Sequence, residues 1–112
     1  MPIYKILLPA EWSAFEAAGA SGVFEGSPLD RADGFVHLSG DDQVAGTVGR
    51  YFADQPELVI LAVDPEPLGE ALRWEPSPSG GTYPHLYAPL PRSAVAAVHR
   101  ITDTSDLSAV FG

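Results

Sequence analysis

The stretch Leu58-Val59-Ile60-Leu61-Ala62-Val63 is apolar at every position and decides the fold. A short apolar run that is bounded by turn residues and rich in β-branched side chains is typical of a strand covered on both faces. Pro65 and Pro67 follow it and end it, because proline cannot donate a hydrogen bond to a sheet ladder. The sequence therefore predicts a central strand over Leu58–Val63.

Weaker patterns lie on both sides of this central strand. The predicted outer strands cover residues 3–8, 23–27, 34–38, 72–75, 83–87 and Val95–Ile101. Trp12, Phe15 and Ala18 recur at helical spacing and predict a helix over residues 11–18. The segment Pro28–Asp33 is expected to be a turn or loop.

These elements predict one α+β domain over residues 1–112, with a core at residues 3–101 and a C-terminal tail at residues 102–112. The expected architecture is a mixed or antiparallel sheet, continuous or split, with two main helices packed on it.

The second of these helices is expected to begin at Ser39. The run Ser39-Gly40-Asp41-Asp42 resembles a capping box, with a hydroxyl at the N-cap and an acid at N3. Farther along, Gln43, Thr47 and Arg50 form a polar stripe at helical spacing. On that stripe, Arg50 is suited to bind a phosphate and Gln43 to orient a ligand amide. The alternative is that the stripe is a solvated helix face.

Composition excludes several classes of function. The chain has 112 residues and no cysteine, so disulfides, thiolate metal sites and cysteine nucleophiles are excluded. A net charge of −9, from 15 acidic and 6 basic residues, repels nucleic acid. No apolar run approaches the roughly 20 residues that span a bilayer, and the N-terminus lacks the pattern of a signal peptide. We expect a cytoplasmic protein that binds a small molecule, with no nucleic-acid or membrane partner.

Two strands carry the candidate site. Because side chains alternate along a strand, His37 and Ser39 share one face of the strand at residues 34–38. His85 and Tyr87 share one face of the strand at residues 83–87 in the same way. If these strands lie close in a sheet, the four side chains form one polar patch. Each also has a structural interpretation: a helix cap for Ser39, ring packing for Tyr87 and half-buried positions for the histidines.

Glu75 stands at a strand end, just before the loop Pro-Ser-Pro-Ser-Gly-Gly-Thr. A carboxylate in that position suits a general base or a group that stabilises a transition state, or a surface charge paired with Arg73. Asp33 is expected to bond its local backbone, and His99 to be structural or on the surface. The sequence has no His-x-His pair and no His-Glu-x-x-His helix, so no metal site is expected.

Taken in order, these motifs resemble the bacterial domain-of-unknown-function family 952. The matching segments are Asp33-Gly34-Phe35-Val36-His37-Leu38-Ser39, Gln43, Arg50-Tyr51-Phe52, residues 58–64, Arg73-Trp74-Glu75, Pro84-His85-Leu86-Tyr87 and Pro89-Leu90. The likeness runs from Tyr4 to Ile101 and therefore covers nearly the whole chain.

The resemblance implies a small α+β domain and a distant relation to the ADP-ribosyltransferase-like fold, a split sheet that holds NAD in a cleft. In transferases of that fold, a His or Arg on an early strand binds the nucleotide and a later acid stabilises an oxocarbenium-like ion. His37 matches the first role, and Glu75, His85 or Tyr87 would supply the others. Glu75 precedes His85, which departs from the usual order of that fold.

The resemblance thus implies catalytic roles for Glu75, His85 and Tyr87, and substrate-binding roles for His37, Ser39, Gln43 and Arg50. It implies an enzyme acting on NAD or an ADP-ribosyl group, with NAD as the candidate substrate and no cofactor assigned. The alternative is a non-catalytic module that binds a nucleotide-like molecule in the same cleft. Transfer on RNA 2′-phosphates is a third hypothesis, which would need a basic patch joining Arg31, Arg50 and Arg92.

Overall fold

The central strand lies where the sequence predicts it, in a computed structural model that describes residues 2–78, 80–103 and 107. In chain order the described strands are β1 (Ile3–Leu7), β2 (Val23–Phe24), β3 (Val36–His37), β4 (Leu58–Val63), β5 (Leu72–Pro76), β6 (Thr82–Leu86), β7 (Leu90–Pro91) and β8 (Val95–Ile101). The α-helices described are α1 (Pro9–Ala17), α2 (Pro28–Asp33) and α3 (Val44–Tyr51), and two 3-10 helices cover Glu66–Ala71 and Arg92–Ala94.

Three antiparallel sheets organise these strands. Strand β4 lies between β1 and β8, strand β6 lies between β3 and β5, and β2 pairs with β7. A two-way backbone bridge between Tyr4 and Ser39, with N···O distances of 2.8 and 2.9 Å, joins the first sheet to the chain just after β3. The prediction of an α+β domain with antiparallel, split sheets is confirmed.

Strand β4 divides the core into two clusters because successive side chains point to opposite faces. Val59, Leu61 and Val63 pack in one cluster with Trp12 and Phe15 of α1. Leu58, Ile60 and Ala62 pack in the other, with Val44 and Val48 of α3. One strand thus holds helices on both sides, which explains its unbroken apolar sequence.

Two helix predictions are wrong. The segment Pro28–Asp33 is the helix α2, since Ser27 at its N-cap forms a reciprocal capping box with Asp30 and Pro28 occupies the first turn. Conversely, Ser39 is not a helix cap, because both its backbone groups bond to Tyr4 and keep it extended. Helix α3 begins five residues later, at Val44.

In the part of the chain that the structure describes, no helix has both the length and the apolar character needed to cross a membrane.

Candidate functional site

The two histidines of the predicted patch face each other across a pair of strands. His37 of β3 is the direct antiparallel partner of His85 of β6, and their ring centroids are 5.8 Å apart. Both line a cavity of about 870 Å³. Pockets that bind drug-sized ligands have volumes of roughly 300–1,000 Å³, so this cavity has the size of a ligand site.

His85 is held by a carboxylate. Its Nδ1 lies 2.8 Å from Oε1 of Glu75 on β5, and the hydroxyl of Tyr87 donates to the same oxygen at 2.6 Å. The hydrogen bonds from Tyr87 and His85 lower the pKa of the Glu75 carboxyl. The hydrogen bond to Glu75 raises the pKa of the Tyr87 hydroxyl. Glu75 is therefore ionised and Tyr87 protonated near neutral pH.

This arrangement fixes the tautomer of a neutral His85. An ionised carboxylate accepts, so Nδ1 must carry the proton that is donated to Glu75, and the lone pair stays on Nε2. Within the described residues, Nε2 of His85 has no hydrogen-bond partner. The side chain is 12% exposed and lines the cavity. The site therefore presents an oriented proton acceptor, the arrangement that general-base catalysis needs.

Phe35 joins the two histidines. Its ring stacks on His85, with centroids 4.0 Å apart and planes at 26°, and lies 4.6 Å from the ring of His37. Tyr87 lies 5.3 Å away, measured between ring centroids. This half-buried phenyl ring limits the rotation of both imidazoles, so it helps to hold the geometry of the site.

His37 lies between two carboxylates. Its Nδ1 is 2.6 Å from Oδ1 of Asp30 and its Nε2 is 3.0 Å from Oδ2 of Asp33. When both acids are ionised, only the imidazolium form, with a proton on each nitrogen, donates both hydrogen bonds. Both nitrogens of His37 are thus engaged by carboxylates, whereas Nε2 of His85 keeps its lone pair. Asp33, expected to bond its local backbone, instead has its carboxylate 3.0 Å from the imidazole of His37.

Asp30 is the buried centre of this network, with 2% of its surface exposed. Its carboxylate accepts four hydrogen bonds: from Nζ of Lys5, from the backbone N–H groups of Ser27 and His37, and from Nδ1 of His37. Burial acts to raise the pKa of Asp30, but the bond from His37 and the charge of Lys5 outweigh it and lower the pKa below its usual value. The ion pair Lys5–Asp30 therefore fastens β1 to α2 and, through His37, to the cavity wall.

A pH dependence follows from the lowered pKa of Asp30. A carboxyl whose pKa is lower in the folded state stabilises the protein fully above its unfolded pKa, about 3.9 for Asp. That contribution is lost as pH falls through the folded value. We expect the urea midpoint of unfolding to fall steadily below about pH 4. The variant Asp30→Asn should show a flatter profile over the same range, and identical slopes for the two proteins would contradict this assignment.

The other predicted binding residues separate into two groups. Arg50 and Ser39 line the cavity, although Ser39 is 4% exposed and its hydroxyl lies 3.2 Å from that of Thr47. Gln43 does not line it, because its side chain accepts from the backbone N–H of Gly40 and donates to the carbonyl of Thr82 at 2.7 Å. Gln43 thus ties α3 to the β5–β6 hairpin that carries Glu75 and His85.

The arginines of the RNA hypothesis do not meet at the cavity. Arg50 lines it, whereas Arg31 and Arg92 do not. The guanidinium of Arg92 instead lies over the ring of Trp12, 5.2 Å from its centroid. His99 also lies outside the cavity lining. Among the residues described, no group of three or more metal-binding side chains has the geometry to hold a metal ion.

Sequence reasoning missed Lys5 and Asp30 as members of the site. Two signals were present. Lysine is almost never fully buried without a partner, and Lys5 stands inside an apolar strand. The second is Ser27-Pro28-Leu29-Asp30, which places an acid three residues after a serine, the spacing of a capping box.

Comparison with known proteins agrees with this fold. The crystal structure of protein CC0527 from Caulobacter crescentus is similar to this chain, with a TM-score of 0.82 and 50% sequence identity, over 89% of this chain and 85% of that one. The solution NMR structure of CC0527 gives a TM-score of 0.74 at 50% identity, over 90% of this chain and 83% of that one. No curated protein matches the chain. Residues 6–98 match the family described as "Protein of unknown function (DUF952)", and the chain therefore belongs to the DUF952 family.

Proposed function

We propose that this protein is an enzyme that acts on NAD or on an ADP-ribosyl group inside the cavity. The observation that carries the proposal is the imidazole of His85, which Glu75 holds by Nδ1 at 2.8 Å in the wall of a cavity large enough for a nucleotide. The separate antiparallel sheets support a relation to the ADP-ribosyltransferase-like fold, which is part of the same proposal.

In this reaction the bond between nicotinamide nitrogen and ribose C1′ breaks, and its electron pair leaves with nicotinamide. Positive charge then develops on the ribosyl ring, where the ionised carboxylate of Glu75 stabilises it. A water or acceptor hydroxyl attacks C1′, and Nε2 of His85 takes its proton. Tyr87, whose pKa is raised by Glu75, stays protonated and holds that carboxylate in place.

The remaining side chains of the cavity serve binding. Both nitrogens of His37 are engaged by Asp30 and Asp33, so its ring serves as a fixed packing surface for the ligand. Arg50 has the planar guanidinium that suits phosphate oxygens. Ser39 supports the wall through Thr47, and Gln43 acts through the hairpin it ties down.

Isothermal titration calorimetry with NAD, ADP-ribose and nicotinamide tests the proposal. We expect saturable heat for NAD and for ADP-ribose, because the cavity accommodates the shared nucleotide. The double variant Glu75→Gln/His85→Gln should keep its fold by circular dichroism and still bind ADP-ribose. Folded protein that gives no heat with any of the three at millimolar ligand would rule the proposal out.

A non-catalytic module that binds a nucleotide-like molecule is the second candidate. It is favoured because the carboxylates of the site already accept hydrogen bonds from the protein. Oε1 of Glu75 accepts two, and Asp30 accepts four. A cavity wall whose carboxylates are hydrogen-bonded within the protein can bind a ligand without catalysing its reaction. This candidate predicts saturable binding with no consumption of NAD, and weaker binding by His37→Ala. Unfolding of both His37→Ala and His85→Ala would make the histidines structural.

A further inference from the structure

The cavity lining combines acid–base groups with apolar side chains. His37, Glu75 and His85 come from β3, β5 and β6, whereas much of the remaining lining comes from β1, α1, α2, α3 and the residues beside them. This second set also contains apolar side chains, among them Ile6, Leu8, Leu29, Tyr51 and Phe52. Nothing in the proposed chemistry uses these side chains, so their exposure to the cavity needs another explanation.

Two of these apolar residues are unusually accessible. Leu29 is 50% exposed and Tyr51 is 58% exposed, although both line the cavity. Behind them Ile6 belongs to the core cluster under α3, and Leu8 and Phe52 pack against that cluster. The apolar surface therefore has a fixed floor continuous with the core and an exposed rim. Apolar surface of this kind, next to convergent polar groups, is typical of a ligand pocket.

We infer that this apolar part of the lining is a subsite for the flat heteroaromatic ring of a nucleoside, whose ribose hydroxyls lie at Glu75 and His85. The inference rests on the proposed function, since it places the non-reacting base of that same ligand. The exposed ring of Tyr51, with the guanidinium of Arg50 lying 5.9 Å from its centroid, offers an offset stacking surface, which flat rings prefer. An aliphatic side chain such as that of Leu29 packs equally well against the other face of a ring.

The charges around the cavity favour a nucleoside over a phosphate as the main determinant of binding. Its acids are Glu11, Asp30, Asp33 and Glu75, against the bases Lys5 and Arg50. Lys5 is 6% exposed in its side chain and bonded to Asp30, so its charge is already compensated. Because acids outnumber bases, binding energy must come largely from the ring and the hydroxyls, and phosphate adds less.

NMR titration of protein with labelled leucine methyl groups and tyrosine rings tests the inference, with adenosine and ribose 5-phosphate as probes. We expect adenosine to shift the signals of Leu29 and Tyr51, whereas ribose 5-phosphate leaves them in place. Tyr51→Ala should weaken adenosine binding by about tenfold, from lost stacking and lost buried area. Tyr51→Phe should bind like the unchanged protein, because it keeps the ring.

Matched controls separate this inference from the proposed function. Val98 is 37% exposed and lies outside the cavity lining, so Val98→Thr should not alter binding. If Tyr51→Ala binds adenosine with unchanged affinity, or if the intact protein binds no adenosine, the inferred subsite is contradicted. This holds whether or not the protein consumes NAD. If adenosine shifts Leu29 and Tyr51 but NAD is not consumed, the subsite stands and the proposed reaction fails.

Discussion

Replacing Asp30 with alanine is expected to lower the free energy of unfolding by about 3–5 kcal/mol, the range seen when one partner of a buried ion pair is removed. The carboxylate of Asp30 is 2% exposed, and the ammonium of Lys5, 2.9 Å away, is 6% exposed. Without Asp30, that ammonium keeps, among the described residues, the carbonyl of His37 at 3.0 Å as its acceptor. Urea unfolding followed by circular dichroism measures the loss.

Asp33 provides the matched control for Asp30. It is also bonded to His37, at 3.0 Å, but its side chain is 46% exposed. We expect Asp33→Ala to change stability by no more than about 0.5 kcal/mol, as for most surface substitutions. The double variant Lys5→Met/Asp30→Ala should lose less than the sum of the single variants, because it removes both buried charges. Equal effects of Asp30→Ala and Asp33→Ala would show that Asp30 is not the centre of the network.

Under the proposed function, replacing His85 with glutamine is expected to lower the rate of NAD consumption by about 10²–10⁴-fold, the usual contribution of a general base. Glutamine has no proton acceptor of comparable basicity at the position of Nε2. Because the bond to Glu75 is only partly buried, we expect the fold and the affinity for ADP-ribose to change little. Liquid chromatography of nicotinamide release measures the rate, and calorimetry measures the affinity.

His99→Gln is the control with the same chemical change outside the cavity. His99 lies on β8 and does not line the cavity, so its replacement should leave turnover unchanged. Glu75→Gln should reduce turnover as well, since the amide leaves both the imidazole and the ribosyl cation without their carboxylate. A His85→Gln variant that binds and consumes NAD at the original rate would exclude His85 as the base.

The strands and their faces could be predicted from the sequence because they depend on local periodicity. The apolar run Leu58–Val63 gave the central strand with its observed bounds. Alternation also placed Ser39 beside His37, and Tyr87 beside His85, on the right faces. The pairing of His37 with His85 could not be predicted, only named as a condition for the polar patch, because strand partners are set by contacts distant in the chain.

The sequence contains two similar helix-capping motifs, and the choice between them explains why α2 was not predicted. Two serines precede an acid by three residues: Ser27 before Asp30, and Ser39 before Asp42. Only the first caps a helix. The backbone of Ser39 is taken by Tyr4 instead, a contact that overrides the local preference. With that helix misplaced, neither the burial of Asp30 nor its bond to Lys5 could be inferred.

The origin of the cavity walls also has a consequence for biosynthesis. Lys5, Asp30 and His37 lie in the first third of the chain, whereas Glu75 and His85 come from the β5–β6 hairpin in its last third. Since a chain folds as it leaves the ribosome from its N-terminus, a nascent chain shorter than residue 86 lacks the complete hairpin. The acid–base pair is thus the last part of the cavity lining to be completed, and a shorter chain lacks the complete pair that the proposed reaction needs.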